Sequence, residues 1–117
     1  MAYKYIDLQF LMSSAKNDTE QVKEFIQDVL ELNAASIGSL HSAFENNNFA
    51  EMKGVAHTLK SSADIFDSAD YKQNLVNLEG KCKEGDNKEA IGKALEELTT
   101  LATAWEDELR QALSKLS

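Results

Sequence analysis

Apolar residues recur at alternating steps of three and four through most of this chain, and this spacing constrains the fold more than any other feature. The clearest series lies in the middle of the sequence: Phe49, Met52, Ala56, Leu59, Ala63 and Phe66. Residues at this spacing fall on one stripe of an α-helix, and such a stripe is normally buried against other elements. We therefore predict a core-facing helix from Phe49 to about Phe66.

Three further stretches repeat this period and predict three more long helices. The first begins after the capping residues 17–21, which have the arrangement of a capping box, and Asn33 interrupts its stripe. The second stretch begins among the polar residues 67–70, and the third runs from Lys88 to Leu116. Their inward positions are Val22, Phe25, Ile26, Val29, Ile37, Leu40 and Phe44, then Tyr71, Leu75, Leu78 and Cys82, then Ile91, Leu95, Leu98, Ala102, Trp105, Leu109 and Leu113.

The connections between these stretches are short. Residues 45–48 end one helix and cap the next, and residues 84–87 include Gly85, which can take the left-handed conformation after a helix. Short loops make consecutive long helices antiparallel neighbours. Residues 3–15 are too densely apolar for a free surface helix and suit a short helix across one end of a bundle. The predicted fold is all-α: an antiparallel four-helix bundle with an additional short N-terminal helix.

Composition agrees with one helical domain over residues 1–117. The chain has no proline and five glycines, which favours long helices, and 43% hydrophobic residues are enough for one core. A net charge of −8 disfavours nucleic acid and anionic membranes as partners, so a protein partner is expected. The single Cys82 has no internal disulfide partner, and the first residues contain no apolar run of signal-peptide length. We expect a cytoplasmic monomer.

His57 is the candidate for chemistry. At about 100° per residue it lies roughly 130° from the centre of its helix's apolar stripe, together with Lys53, Lys60 and Asp64. This places it at the solvent-exposed edge of the helix. A neutral imidazole is a competent nucleophile, and the ordinary histidine pKa of about 6.5 keeps the ring mostly neutral near pH 7. The alternative is a surface histidine without a role.

The segment His57-Thr58-Leu59-Lys60-Ser61-Ser62-Ala63 resembles the His-x-Leu-Lys-Gly-Ser-Ser signature of histidine-containing phosphotransfer (HPt) domains, and the resemblance covers nearly all of the chain. It implies a phosphocarrier in which His57 accepts a phosphoryl group from an aspartyl phosphate on a receiver domain and passes it to another receiver. Lys60, one helical turn away, would stabilise the phosphoryl charge, and Lys53, Ser61 and Asp64 would meet the partner. The receiver would supply Mg²⁺ and the aspartate.

Two positions depart from the family pattern. Ser61 stands where a glycine is usual, and Asp67 stands where a second glycine often follows the helix. Asp64 adds negative charge on the histidine's own face, although Lys60 could pair with it at four residues' distance. These departures keep two alternatives open: an HPt-like module that binds a kinase or receiver without carrying phosphate, and a purely structural helical bundle. An exposed apolar patch beside His57 would favour docking.

The remaining residues suggest no second kind of chemistry. His41 lies near the margin of its stripe without a set of ligands around it, and Met52, Cys82 and Trp105 have the spacing of core residues. The pairs of carboxylate and histidine that hold metals in helical bundles are missing, as are nucleotide-binding loops and serine triads. We therefore expect no metal, no cofactor and no ATP-dependent kinase activity.

Overall fold

The computed structural model of the protein describes residues 3–85 and 87–116, so Met1, Ala2, Asp86 and Ser117 lie outside the described residues. The described residues form five helices and no strand. The helices are α1 (Gln9–Ser14), α2 (Thr19–Glu45), α3 (Phe49–Ile65), α4 (Ala69–Glu84) and α5 (Lys88–Leu116). Helix α2 contacts α3 and α5, and α4 also contacts both, so the four long helices close into a bundle. The predicted four-helix bundle with a short N-terminal helix is confirmed.

The predicted helix ends are found at their capping residues. The Asp18 carboxylate accepts hydrogen bonds from the first backbone N–H groups of α2, and the Asn48 side chain accepts one at the start of α3. Gly85 ends α4 in the left-handed conformation, with φ of 69°. Asp67, in the turn between α3 and α4, also has a positive φ, of 50°. The glycine-like backbone that the sequence suggested at this position is therefore present, with aspartate adopting it.

The short N-terminal helix occupies only part of the apolar stretch, because only Gln9–Ser14 of residues 3–15 is α-helical. The Glu108 carboxylate accepts hydrogen bonds from the backbone N–H groups of Lys4, Tyr5 and Ile6, at 3.1, 2.8 and 3.2 Å. The Asp7 N–H donates to the Phe66 carbonyl at 2.8 Å. These partners on α5 and at the end of α3 replace the hydrogen bonds that a helix would supply. Residues 3–8 are therefore held against α5 and the end of α3 without being helical. We call these residues the N-terminal strap.

The core below this strap is aromatic. Trp105 is fully buried, its ring meets Phe66 edge-on at 5.6 Å between centroids, and the centroid of the Tyr71 ring lies 4.7 Å from that of Trp105. The indole N–H donates to the Ser68 hydroxyl at 2.7 Å, so its buried donor is satisfied. The predicted core roles of Met52, Cys82 and Trp105 are confirmed, since all three are buried.

Asn33 is also buried. In the sequence it had appeared only as a polar interruption of the apolar stripe of its helix. The Tyr71 hydroxyl donates to Asn33 Oδ1 at 2.6 Å, and Asn33 Nδ2 donates to Glu106 Oε2 at 2.6 Å. Burial raises the pKa of the Tyr71 phenol well above its usual range, and the hydrogen bond to Asn33 offsets part of that rise. We call Asn33, Tyr71 and Glu106 the core polar network; it joins α2, α4 and α5 by hydrogen bonds.

Candidate functional site

His57 lies on the exposed side of α3, as the periodicity predicted. Its side chain is 70% exposed, whereas Met52, Ala56 and Leu59 on the opposite side of the helix are buried. The helix presents this face because its apolar stripe is held in the bundle, which rotates the histidine outward. Substitution of His57 therefore opens no cavity in the core.

Glu79 of α4 contacts both His57 and Lys60. Its Oε2 lies 3.2 Å from His57 Nδ1, and its Oε1 lies 2.7 Å from Lys60 Nζ. One carboxylate thus bridges the two side chains that the sequence had singled out. We call His57, Lys60 and Glu79 the histidine cluster. The Glu79 side chain is only 19% exposed, and helix α4, not a loop, presents it to the histidine.

The charge state of Glu79 decides which nitrogen of His57 is available. The hydrogen bond from Lys60 is the largest influence and lowers the pKa of the Glu79 carboxyl; burial partly opposes this, and the His57 contact lowers the pKa further. An ionised carboxylate only accepts hydrogen bonds, so a neutral His57 donates through Nδ1–H. Its Nε2 then carries the lone pair, and within the described part of the chain Nε2 has no hydrogen-bond partner.

Glu79 was missed in the sequence, although a signal for it exists. Helices α3 and α4 form an antiparallel hairpin, and Ser68 lies at its turn. His57 precedes Ser68 by eleven residues and Glu79 follows it by eleven. In an antiparallel helical hairpin, residues equally far from the turn lie at the same level. This symmetry identifies the level of the partner, and helical rotation then selects the side chain that faces α3.

The same symmetry holds for Asp64, which pairs with Lys72 of α4 at 2.7 Å. The alternative that Lys60 pairs with Asp64 is wrong, because Lys60 is bound to Glu79. The reason is rotation: both α3 side chains face α4, which offers each of them an oppositely charged partner at its own level. Lys72 therefore balances the negative charge that Asp64 brings to the histidine's face.

Lys53 and Ser61 are placed at the surface without joining the histidine cluster. Both are exposed, and neither forms an ion pair or side-chain hydrogen bond among residues 3–85 and 87–116. Ser62, the next residue along α3, is buried. That Lys53 and Ser61 contact a partner therefore stays a prediction.

Other reactive side chains lie apart from this cluster. His41 Nε2 is 2.9 Å from the Thr99 hydroxyl, at the contact of α2 with α5. Burial raises the pKa of the Cys82 thiol, which makes it a poor nucleophile. Among the residues that the structure describes, no group of three potential metal-ligating side chains is found. No described helix is long and apolar enough to cross a membrane.

A comparison with family models agrees with this geometry. The model described as "Hpt domain" matches residues 22–116. This range contains the whole histidine cluster and all four long helices, except for the first turn of α2. The chain belongs to the Hpt domain family. Hpt domains act in phosphotransfer within two-component signalling, interact with receiver domains, and are phosphocarriers rather than kinases. Searches against curated proteins and against solved structures give no significant match.

Proposed function

We propose that His57 is the phosphoacceptor of this Hpt domain, taking a phosphoryl group from an aspartyl phosphate of one receiver and giving it to another. The observation that carries the proposal is the bond from Nδ1 to Glu79, combined with an exposed Nε2. A nucleophile needs an accessible lone pair and a fixed tautomer, and the histidine cluster supplies both.

In the transfer step, Nε2 attacks the phosphorus of the acyl phosphate. The N–P bond forms, the bond from phosphorus to the aspartate oxygen breaks, and the aspartate carboxylate leaves with its electron pair. The ring keeps its proton on Nδ1 and becomes positively charged as Nε2 gives up its lone pair. Glu79 lies 3.2 Å from Nδ1 and stabilises this charge. The reverse reaction on a second receiver releases the phosphoryl group from the same geometry.

Lys60 would serve the phosphoryl oxygens, as the family resemblance implies. Its ammonium is bound to Glu79 in the resting protein, and its side chain is 23% exposed. A partly exposed ion pair contributes on the order of 1 kcal/mol, so exchange of the carboxylate for a phosphoryl oxygen costs little. Glu79 can then stay bound to the positively charged imidazole, while the Lys60 ammonium binds the phosphoryl oxygens.

One observation favours this function over a module that binds without carrying phosphate. Lys72 neutralises Asp64, which was the main electrostatic objection to a phosphorylated His57. Val76, three residues before Glu79 on the same face of α4, is an exposed apolar side chain beside the histidine cluster. A single apolar side chain is not a patch, so it does not separate docking from assembly.

The test is transfer from phosphorylated receiver domains of the same cell to the purified chain. We expect a label that acid removes and base does not, carried by the parent protein and absent from His57→Gln. The matched control is His41→Gln, which should label like the parent. Undiminished labelling of His57→Gln, or equal loss in both variants, would end the proposal.

A further inference from the structure

The surface formed by α2 and α5 carries no charged residue in its middle. Residues 32–44 of α2 and residues 98–105 of α5 contain no aspartate, glutamate, lysine or arginine, although 27% of the chain is charged. The two uncharged runs lie side by side, because α2 packs on α5 and His41 Nε2 is 2.9 Å from the Thr99 hydroxyl. Depletion of charge at the centre of a surface is typical of protein interfaces.

We define the α2–α5 face by side chains three or four residues apart on the shared side of the two helices: Leu30, Ala34, Ile37 and His41 on α2, and Thr99 and Thr103 on α5. Ala34, His41 and Thr103 are exposed, and the other three are partly buried. A partner that covers the middle of this face buries no unpaired charge.

The stripes that form the face continue into charged residues, with cations at one end of the bundle and glutamates at the other. Because α2 and α5 are antiparallel, Lys23 near the start of α2 and Arg110 near the end of α5 lie at the same end. Glu45 and Glu96 lie at the opposite end. Within residues 3–85 and 87–116, neither of these glutamates has a cation at ion-pair distance. Both glutamates are therefore available to a cation from outside.

The two cations already have partners, but these contacts are exposed. Lys23 Nζ is 3.3 Å from Glu20, whose side chain is 78% exposed. Arg110 contacts Asp107 at 3.0 Å and Glu106 at 3.5 Å, and its own side chain is 56% exposed. Exposed pairs of this kind are weak, so both cations can bind a further carboxylate.

The charges on α2 are symmetric about the centre of the face. Lys23 precedes Ala34 by eleven residues, and Glu45 follows it by eleven. Eleven residues are close to three helical turns, so all three side chains lie on one side of the helix. A two-fold axis that crosses α2 at Ala34 in the plane of the face therefore brings Lys23 of each copy opposite Glu45 of the other.

The charges on α5 have the same symmetry. The axis meets α5 at about Thr103, because Asn33 of α2 is hydrogen-bonded to Glu106 of α5. Arg110 and Glu96 each lie seven residues from Thr103, on opposite sides of it. The axis that pairs the α2 charges therefore also pairs Arg110 of each copy with Glu96 of the other.

The size of the face and the net charge of the chain both fit a second copy as the partner. From Lys23 to Glu45 the face is about 33 Å long at 1.5 Å per residue. The bundle is 20 to 21 Å across, so the flat area is roughly 660 Å², close to the 800 Å² or so that each partner contributes to a standard interface. With a net charge of −8, copies of this chain repel each other over most of their surface, and a face with an uncharged centre and balanced ends avoids that repulsion.

We propose that two copies of this chain associate through the α2–α5 face about this two-fold axis. His57 lies on α3, outside the face, so each copy keeps its exposed histidine. The proposal goes beyond phosphoryl transfer and does not rest on it. The monomer expected from the sequence is then the form present at low concentration.

Sedimentation equilibrium of the purified chain between about 1 µM and 1 mM tests the proposal, since this range covers weak and moderate affinities. The variants are Glu45→Lys, Lys23→Glu and Ala34→Glu. The last places a glutamate of each copy at the axis, and glutamate is a good helix former at this exposed position. The control is Ala50→Glu, which adds the same charge at an exposed position of α3.

We expect the parent to form dimers and no larger species. Each of the three variants should weaken association by about tenfold or more, because a substitution acts twice in a two-fold dimer, and Ala50→Glu should associate like the parent. An equimolar mixture of Glu45→Lys and Lys23→Glu should associate about as well as the parent, because opposite charges then meet at both contacts. High salt should reduce the effects of the charge reversals.

A parent that stays monomeric up to about 1 mM overturns the proposal. An Ala34→Glu variant that dimerises like the parent would place the dimer on another face, and equal weakening by Ala50→Glu would assign the effect to net charge; each result rejects the α2–α5 face. A mixture that associates no better than its two components rejects the two-fold pairing. Phosphoryl transfer to His57 enters none of these measurements, so the proposed function stands or fails separately.

Discussion

The core polar network and the histidine cluster each hold three polar side chains, but they lie in opposite environments. Asn33, Tyr71 and Glu106 meet in the core, where the Tyr71 ring also contacts Trp105, with both hydrogen bonds at 2.6 Å. In the histidine cluster, His57 is 70% exposed and its contact with Glu79 is 3.2 Å long. Both groups are polar and both join different helices. They differ in their exposure to solvent.

This difference assigns the two groups different work. A buried polar atom that loses its partner costs about 1–3 kcal/mol, which holds the core polar network in one arrangement. A contact of an exposed charged group contributes about 0–1 kcal/mol, so the exposed His57 can change partners at small cost. A phosphocarrier needs the second property, because its histidine gains and loses charge in each cycle.

The largest contrast is expected between the two faces of α3. Leu59→Ala should lower the free energy of unfolding by about 2–5 kcal/mol, since Leu59 is buried and its truncation leaves a cavity. His57→Gln should change it by less than about 0.5 kcal/mol. Urea unfolding measures both. A change within error for Leu59→Ala would mean that the helix is rotated differently, and the exposure of His57 would be wrong with it.

The core polar network gives the next largest effect. Asn33→Ala removes the acceptor of the buried Tyr71 hydroxyl and one of the two side-chain partners of Glu106, the other being Arg110, and should cost about 1–3 kcal/mol of stability. Asn74→Ala is the control, because the one side-chain hydrogen bond of Asn74 within the described residues is an exposed one to the Asp70 carbonyl. Receiver transfer by folded Asn33→Ala should equal that of the parent. Equal stability of the two variants would remove the distinction between the buried and exposed groups.

Periodicity was sufficient to predict the bundle and the orientation of α3. The steps of three and four residues fix which face is buried, and His57 lies off that face. The missed residues are those whose partners lie far away in the sequence. Glu79 required the level of two antiparallel helices to be matched, and the Glu108 clamp joins residues more than 100 positions apart. No local pattern reports such contacts.

Asn33 was a different kind of failure. A polar residue within an apolar stripe indicates an interruption of the buried face, because burial of an amide is unfavourable unless it is hydrogen-bonded. Its partners come from α4 and α5, so only the assembled bundle shows that the amide is satisfied. The sequence therefore predicted the apolar core well and the polar core poorly.

On the face of α3 that carries His57, substitutions should have small and opposite effects on phosphoryl transfer. Lys60→Ala should slow transfer or destabilise phosphohistidine, and Ser61→Gly should speed it by easing the approach of a partner. Each effect should stay within about 1 kcal/mol, roughly fivefold, and the Lys60 effect should shrink with salt. Asp64→Ala should stabilise phosphohistidine by less, because Lys72 already pairs with Asp64.

Transfer from one phosphorylated receiver at low and high ionic strength measures all three variants. A slower Ser61→Gly would indicate that the hydroxyl assists the imidazole or the phosphoryl group. No change in rate or equilibrium for Lys60→Ala would remove its role at the phosphoryl group.

The smallest effect is a shift in the titration of Glu79. Its lowered pKa means that the stabilisation by this carboxylate is present above the usual glutamate pKa, about 4.3, and is lost as the pH falls through the lowered value. Lys60→Ala should return the pKa toward its usual value more than His57→Gln does, since Lys60 is the larger cause. Carboxyl NMR titration checks this order, and the reverse order would make His57 the main partner.

We propose that Glu79 holds the proton of His57 on Nδ1 and leaves Nε2 as the phosphoacceptor. A long-range proton–nitrogen spectrum of the phosphorylated, nitrogen-15-labelled chain tests this most directly, because it distinguishes the two ring nitrogens. We predict that His57 carries phosphorus on Nε2 and a proton on Nδ1, while the His41 signals do not change. Phosphorus on Nδ1 of His57, or on either nitrogen of His41, would contradict the account.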